Sequence, residues 1–338
     1  MANKVKWGIL STAAIARRRV IPAMKAGECT EITAIASRSM EKAKAAASEF
    51  SIPKAYGSYE QLLADPEIEA IYNPLPNHLH VEWSIRAAAH GKHVLCEKPL
   101  SQNVAEVRRL LKARDDFKVK IGEAFMVRTH PQWLRTRELV LCERIGKLRA
   151  ALGFFSYFNL DPANVRNSAE YAGGALMDIG CYPVKTTRFV FGEEPTRVLG
   201  CIDRDPGFQT DRLTSAILEY PSGHCVFTAS TQIAYYQKMQ FFGSTGRIDV
   251  EIPFNAPADK PTRIFIDDGK DLYAGASQVM EAFPVCNQFT IQGDLFSQAI
   301  RNDTEVPNPL EDAICNAAVI EALFRSAESG RWEKPEAL

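Results

Sequence analysis

Two stretches carry the side-chain types best suited to chemistry: Cys96-Glu97-Lys98-Pro99, and Gly173-Gly174-Ala175-Leu176-Met177-Asp178-Ile179-Gly180-Cys181-Tyr182-Pro183. Lys98 follows the short predicted strand His93 to Cys96, so its ammonium would stand at the carboxyl end of a strand, the edge where open α/β sheets bind ligands. The proline after it restricts the turn, and the Lys98-Pro99 peptide is a candidate for the cis form. In the second stretch two glycines permit close backbone approach before a helix. Asp178 and Tyr182 are four apart, which puts them on one face of a continuous helical turn, although Pro183 is equally suited to starting a new helix. Each also has an ordinary reading: a surface lysine, a buried aspartate capping a helix, a packed tyrosine.

A dinucleotide would need small residues after the first strand, so that a helix N-terminus can approach its pyrophosphate. Gly8-Ile9-Leu10-Ser11-Thr12-Ala13-Ala14-Ile15-Ala16 offers Ser11, Thr12 and Ala13 there, without the expected glycines. By itself this is equally an ordinary strand-to-helix turn. At the end of the second strand, where an NAD site would place an acid for the ribose hydroxyls, the chain has Ser37-Arg38-Ser39. A guanidinium flanked by hydroxyls suits a 2′-phosphate, because arginine makes forked, charge-assisted bonds to phosphate oxygens. The alternative is an exposed loop arginine. Tyr72-Asn73-Pro74-Leu75-Pro76-Asn77-His78-Leu79-His80 follows another strand and enters the same edge. Arg17, Arg18 and Arg19 read as a solvated helix face.

These residues must be held by two kinds of sheet. Up to Phe125, runs at Lys4 to Leu10, Glu31 to Ser37, Ala70 to Asn73, His93 to Cys96 and Val119 to Ala124 alternate with helical stretches at Met40 to Phe50, His78 to His90 and Asn103 to Arg114. That is the pattern of βα units and predicts a parallel, doubly wound sheet. Pro22 is expected to kink or restart the first helix. After about Ala150 the pattern changes to alternating strands at Leu148 to Phe158, Thr196 to Asp203, Asp211 to Tyr220, His224 to Gln232, Lys238 to Gly243 and Arg247 to Ile252. Pro221-Ser222-Gly223 and Ser244-Thr245-Gly246 are short turns between them, so neighbours should pair antiparallel. Helices near Phe289 to Asn302 and Pro309 to Ser329 close the chain. The fold class is α/β plus α+β, with a dinucleotide-binding domain over 1–125 and a substrate-binding and oligomerisation domain over 126–338 built on a large, mainly antiparallel sheet. The few helices of that half can cover one face of the sheet; the other is either a subunit interface or a solvated polar face.

With 338 residues, 46% hydrophobic and 24% charged, the chain suits two ordinary globular domains. Forty basic against forty-one acidic side chains leave a net charge of −1, too little to attract nucleic acid or anionic lipid, so neither is expected as a partner. Eight cysteines without a CxxC pair fit a reducing cytoplasm better than a zinc or disulfide framework, and no metal is expected. No stretch reads as a signal peptide or a membrane span.

The small-residue turn, Glu97-Lys98-Pro99 and the Gly-Gly-x-x-x-Asp-x-Gly-x-Tyr segment, in this order, resemble the glucose-fructose oxidoreductase, inositol dehydrogenase and rhizopine-catabolism (Gfo/Idh/MocA) family. Phe241-Phe242-Gly243-Ser244-Thr245-Gly246-Arg247-Ile248 and the Asn73 to His80 segment agree with it. Tyrosine at 182 rather than histidine is similar to the branch holding glucose-fructose oxidoreductase, dimeric dihydrodiol dehydrogenase and NADP-dependent xylose dehydrogenase. The resemblance implies a Rossmann domain followed by an antiparallel-sheet domain, a homodimer or homotetramer formed through that sheet, and NADP as the preferred cofactor with NAD as the alternative. It implies that Lys98 and Tyr182 act together as catalytic groups, with Asp178 orienting the substrate. Ser11, Thr12, Ala13, Ile15, Ser37, Arg38, Leu75, Asn77, His80, Glu97 and Lys98 are the expected cofactor residues. Polar groups at predicted strand ends of the second domain, Arg128, His130, Asp161, Asn164 and Arg166, are the expected substrate residues, in a cleft between domains. The expected activity is hydride transfer between an aldose such as xylose or glucose, or a polyol, and the nicotinamide. A keto-sugar or carbonyl reductase, or a trans-dihydrodiol dehydrogenase, would use the same residues, and a non-catalytic dinucleotide- and sugar-sensing regulator could use the same fold.

Overall fold

A computed structural model of the chain describes residues 4–271, 275 and 277–336. They divide into two compact units, the chain up to Met126 with Asn287–Ile314, and Val127–Cys286 with the chain from Cys315 on.

The first unit is built on six strands, β1 (Val5–Leu10), β2 (Thr30–Ala36), β3 (Lys54–Tyr56), β4 (Ala70–Asn73), β5 (His93–Glu97) and β6 (Ile121–Ala124). Their order is β3-β2-β1-β4-β5-β6, and every pairing is parallel. This is the doubly wound order whose reversal at β1/β4 opens a crevice at the strands' carboxyl ends. Strands β1 and β4 are buried almost throughout, which their unbroken apolar runs require. The three-residue β3, which the sequence reading passes over, adds the outer edge.

The crossover helices are α1 (Ile21–Lys25), α2 (Met40–Phe50), α3 (Tyr59–Leu63), α4 (His80–Ala89) and α5 (Val104–Phe117). Helix α1 is preceded by a widened π turn, Ala16–Val20, closed by the Ile21 N–H on the Ala16 carbonyl. Pro22 has no N–H to give Arg18 and its ring crowds that carbonyl, so the expected kink takes the form of this π turn.

The second unit opens on α6 (Pro131–Leu141), which the sequence reading omits, and continues through β7 (Leu148–Phe158), α7 (Cys181–Phe191), β8 (Arg197–Arg204), β9 (Asp211–Tyr220), β10 (Gly223–Ser230), β11 (Gln232–Gly243), β12 (Arg247–Val250), β13 (Thr262–Asp267) and β14 (Gln278–Phe283). Among the described residues these strands form one sheet in the order β14-β13-β12-β11-β7-β10-β9-β8. Both short turns make the antiparallel hairpins expected, β9 to β10 and β11 to β12. Among the described strands of this sheet, only β7 and β10 run parallel. Helix α7 lies close on β7: a Cβ on Gly153 would come 3.2 Å from the Pro183 Cβ.

The chain closes with α8 (Gln288–Asn302) and α9 (Leu310–Ser329). The sequence division places both beyond residue 126 in the second domain, yet residues 287–314 pack with the first unit. The reason lies in α8. Phe296 meets the buried Trp7 ring at 5.6 Å, the Trp7 indole donates to Ser297 Oγ at 3.1 Å, and Asp294 accepts the Glu28 and Cys29 N–H groups at 3.0 and 2.8 Å. Helical periodicity reveals an apolar stripe but not which layer it covers. No described helix is long and apolar enough to cross a membrane.

Candidate active site

In the first unit the turn after β1 has the shape of a glycine fingerprint without the glycine. Ser11 has φ +114°, a region that favours glycine and costs other residues about 1–3 kcal/mol. Its hydroxyl offsets part of this by accepting the Ala13 N–H at 3.2 Å. Thr12 and Ala13 remain partly exposed at the start of the helix. Ile15, expected against the cofactor, is partly buried and packs on the apolar core of this unit.

At the end of β2, Ser37 is buried and accepts the Ser39 N–H at 3.3 Å, and Ser39 caps α2 through the Lys42 N–H. Arg38 stays exposed, with its guanidinium beside the Tyr59 hydroxyl. Burial pushes that phenol's pKa up and Arg38 pulls it down. Tyr59, absent from the sequence reading, meets Trp83 edge-on at 4.9 Å.

At β4 and β5 several expected contacts are used to build turns. Asn73 is fully buried; its amide donates to the His80 carbonyl (3.0 Å) and Ser84 Oγ (3.1 Å), and its Oδ1 accepts the Leu75 N–H (3.3 Å). His80 does not face open space for a cofactor. It is 1% exposed, with Nδ1 2.8 Å from the Pro99 carbonyl and Nε2 2.6 Å from the Leu75 carbonyl, so it ties the Leu75 loop to the Lys98-Pro99 turn. Burial pushes its pKa down to about 4 against the pull of both carbonyls and Glu123. Leu75 is itself buried, and Asn77 opens a short, half-exposed 3₁₀ turn.

Glu97 accepts the Tyr72 hydroxyl at 2.5 Å and the Lys98 N–H at 3.2 Å. The Lys98-Pro99 peptide is cis, and the half-buried Lys98 rides on this braced turn. Buried Glu123 holds the far side through the Leu100 N–H at 3.0 Å.

In the second unit, Leu176–Gly180 is another π turn, again followed by a proline, Pro183, in α7. Pro183 can give no N–H to Ile179, so the helix is not restarted but widened, and Asp178 and Tyr182 remain on one helical path. Asp178 Oδ2 accepts both the Tyr157 hydroxyl (2.7 Å) and Arg166 Nε–H (2.8 Å). Burial, and then the Asp178 charge, push the Tyr157 phenol well above its usual range, and Asp178 holds Arg166 firmly protonated. Tyr182 is 5% exposed, its ring set between Phe155 (5.5 Å) and Phe254 (5.2 Å), within the electrostatic reach of Arg166.

Of the expected substrate residues, Arg166 joins Asp178 and Tyr182. Asp161 and Asn164 shape the loop that carries it: Asp161 Oδ1 accepts the Ala163 N–H (2.9 Å) and Asn164 Oδ1 the Arg166 N–H (3.1 Å). His130 is engaged at both ring nitrogens, accepting the Gln132 N–H at the start of α6 and meeting Cys286 Sγ at 3.4 Å. Burial pushes its pKa down to about 4. Arg128 lies over the Phe189 ring at 5.2 Å. Tyr157 was missed because an aromatic on an alternating strand reads as core. Among the described residues, no group of three or more His, Cys, Asp or Glu side chains is arranged to hold a metal.

One unit therefore presents an ammonium at the carboxyl edge of a parallel sheet, and the other a buried phenol near an arginine–carboxylate pair. A model described as an oxidoreductase family with an NAD-binding Rossmann fold matches residues 5–125, and a GFO/IDH/MocA C-terminal domain model matches 133–249. An uncharacterised oxidoreductase of Rhizobium meliloti is 47% identical over 97% of this chain and 98% of its own. D-xylose 1-dehydrogenase (NADP(+)) 2 of Haloferax volcanii is 36% identical over 96% of this chain and 98% of its own. Among solved structures, a 3-ketoreductase from Actinomadura kijaniata in complex with NADP and TDP-benzene is similar with a TM-score of 0.89 and 29% identity, over 96% of this chain and 98% of that one.

Proposed function

Because the chain belongs to the Gfo/Idh/MocA family of oxidoreductases, we propose that it transfers hydride between a sugar or polyol and NADP, oxidising an aldose such as xylose or glucose. The observation that carries this reading is Tyr182, walled by aromatic rings beside the Arg166–Asp178 pair. Similarity to an NADP-dependent xylose dehydrogenase over nearly the whole chain supports the substrate class and the cofactor.

The first unit fits a dinucleotide in two ways: the Ser11 turn leaves only small side chains before the first helix, and Arg38 stands where a 2′-phosphate would need a cation. Bound NADP supplies a hydride acceptor, or donor when reduced, at its nicotinamide. Tyr182 takes the proton of the reacting hydroxyl. A phenol with an ordinary pKa of about 10 does this at neutral pH only beside cations, and Arg166 and Lys98 are the candidates. The Lys98 ammonium also steadies negative charge on the reacting oxygen. Asp178 and Arg166 hold neighbouring hydroxyls. Reduction of a keto-sugar runs the same steps backwards, and similarity to the 3-ketoreductase favours it as the second reading.

Purified protein given NADP or NAD with a panel of aldoses, inositols and keto-sugars, followed by nicotinamide absorbance in both directions, tests this. Turnover of an aldose with NADP is expected. Failure of every sugar in both directions would remove the reading.

The outer face of the second sheet supports assembly with another copy of the chain. Leu199, Ile217, Val226 and Leu152 stand in register across β8, β9, β10 and β7, and Val226 and Leu152 are 43% and 44% exposed. Polar pairs such as Arg197–Glu219 and Ser215–Thr228 border this apolar row, an arrangement that suits an interface with an apolar centre and a polar rim. Light scattering at micromolar concentration is expected to give a dimer or tetramer, and Val226→Glu with Leu152→Glu a monomer. A monomeric parent protein would count against the interface. All eight cysteines stand as thiols, which supports a reducing cytoplasm as the place of action.

A further inference from the structure

A buried carboxylate that the hydride-transfer scheme leaves unused sits at the root of the catalytic segment. Asp211, the first residue of β9, is 1% exposed. Its Oδ2 accepts the Leu176 N–H at 2.6 Å and the Thr214 hydroxyl at 2.9 Å. Its Oδ1 fills the space beside Gly174, where a Cβ would come within 1.8 Å. Gly174, with φ +112°, is thus glycine for two reasons, its backbone conformation and the room it leaves for this oxygen.

Leu176 opens the π turn that leads to Asp178 and Tyr182, and its N–H belongs to the helix start, where amide donors lack partners within the helix. A carboxylate is the strongest acceptor available there, and the positive end of a helix favours its charge. Resting on the reading of Tyr182 as the base, we propose that Asp211 is a positioning residue: its carboxylate anchors the start of the segment that sets Tyr182 and Asp178 in place. Phe155 and Phe254 hold the phenol ring laterally, whereas Asp211 fixes the backbone from which it hangs.

The charge of this anchor changes within an accessible pH range. Burial pushes the Asp211 pKa up to about 6, against the Leu176 N–H, the Thr214 hydroxyl and the Arg204 charge from β8. Tyr157 of β7, bonded to Asp178, feels the Asp211 charge, which helps keep that phenol protonated. Because the folded pKa lies above the unfolded value of about 3.9, the folded state takes up this proton first as pH falls. Asp211 protonation therefore does not lower global stability across that window. It does weaken the anchor, so turnover falls where stability, for this group, does not.

The expected result is an acid limb in kcat with a midpoint near pH 6, without a matching fall in Tm. Asp211→Asn keeps an acceptor for the Leu176 N–H but cannot titrate; it should lose that limb, leaving the KM for NADP unchanged. Asp211→Ala, which removes the anchor, should lower kcat by about 10–100-fold, since small misplacements of reacting groups have effects of that order. An acid limb retained in Asp211→Asn, or a flat parent profile across this range, would overturn the proposal. Carbon-13 NMR of labelled tyrosine, with Tyr182 assigned by Tyr182→Phe, gives a readout that needs no substrate. A Tyr182 shift that follows pH with a midpoint near 6, and stops doing so in Asp211→Asn, supports the anchor even if no sugar is turned over. A pH-independent Tyr182 signal in the parent protein rejects it.

Discussion

Tyr182→Phe is expected to lower turnover by about 10²–10⁴-fold, the usual range for losing a general base, while the Kd for NADP changes little. The substitution removes one oxygen and keeps the ring that packs on Phe155 and Phe254, so the surrounding wall stays in place. Lys98→Ala should give a comparable fall, because without the ammonium the phenolate and the developing alkoxide both lose a counter-charge. The turn beneath it should survive. It is held by the Lys98 N–H on Glu97, by the Tyr72 hydroxyl on the same carboxylate, and by His80 on the Pro99 carbonyl, none of which needs the lysine side chain. Steady-state kinetics paired with fluorescence titration of the cofactor separates the two effects. Turnover near the parent level in either variant would sink the proposed chemistry. A parallel loss of NADP binding would instead show that the substitution disturbed the cofactor half.

Long elements with a clear period were legible in the sequence, and short or polar ones were not. β1, β4 and β5 were found because parallel strands buried on both faces read as unbroken apolar runs. β3 has three half-buried residues, too few for any period. β13 and β14 were lost because Arg263, Glu281 and other polar residues interrupt short runs set among loops. The candidate site divides in the same way. Lys98, Asp178 and Tyr182 stood out by type and spacing, and Arg166 by being a charge near a strand end. His80 and His130 show the limit: a histidine's identity does not say whether its ring meets a ligand or backbone carbonyls and capping amides, and here both rings are buried and engaged. Asp211 read as an ordinary strand start, since only the fold brings it to Leu176, 35 residues back in the chain.

Arg38→Ala should weaken NADP by roughly 10–100-fold and leave NAD within a few-fold. A hydrogen bond to a charged group is worth about 1.5–3 kcal/mol, and each 1.4 kcal/mol is a factor of ten in affinity. Arg38 is exposed, so screening by salt draws the effect toward the lower end. Its setting nonetheless favours selectivity. The Tyr59 hydroxyl steadies the guanidinium, the Ser37 and Ser39 hydroxyls lie on either side in the chain, and no acid stands at the end of β2 to hold an unphosphorylated ribose. The preference for NADP over NAD should therefore shrink as ionic strength rises in the parent protein and be small and salt-independent in Arg38→Ala. Equal losses for the two cofactors would mean that Arg38 serves the turn rather than the 2′-phosphate, and the basis for NADP preference would have to be sought in other residues of the first unit.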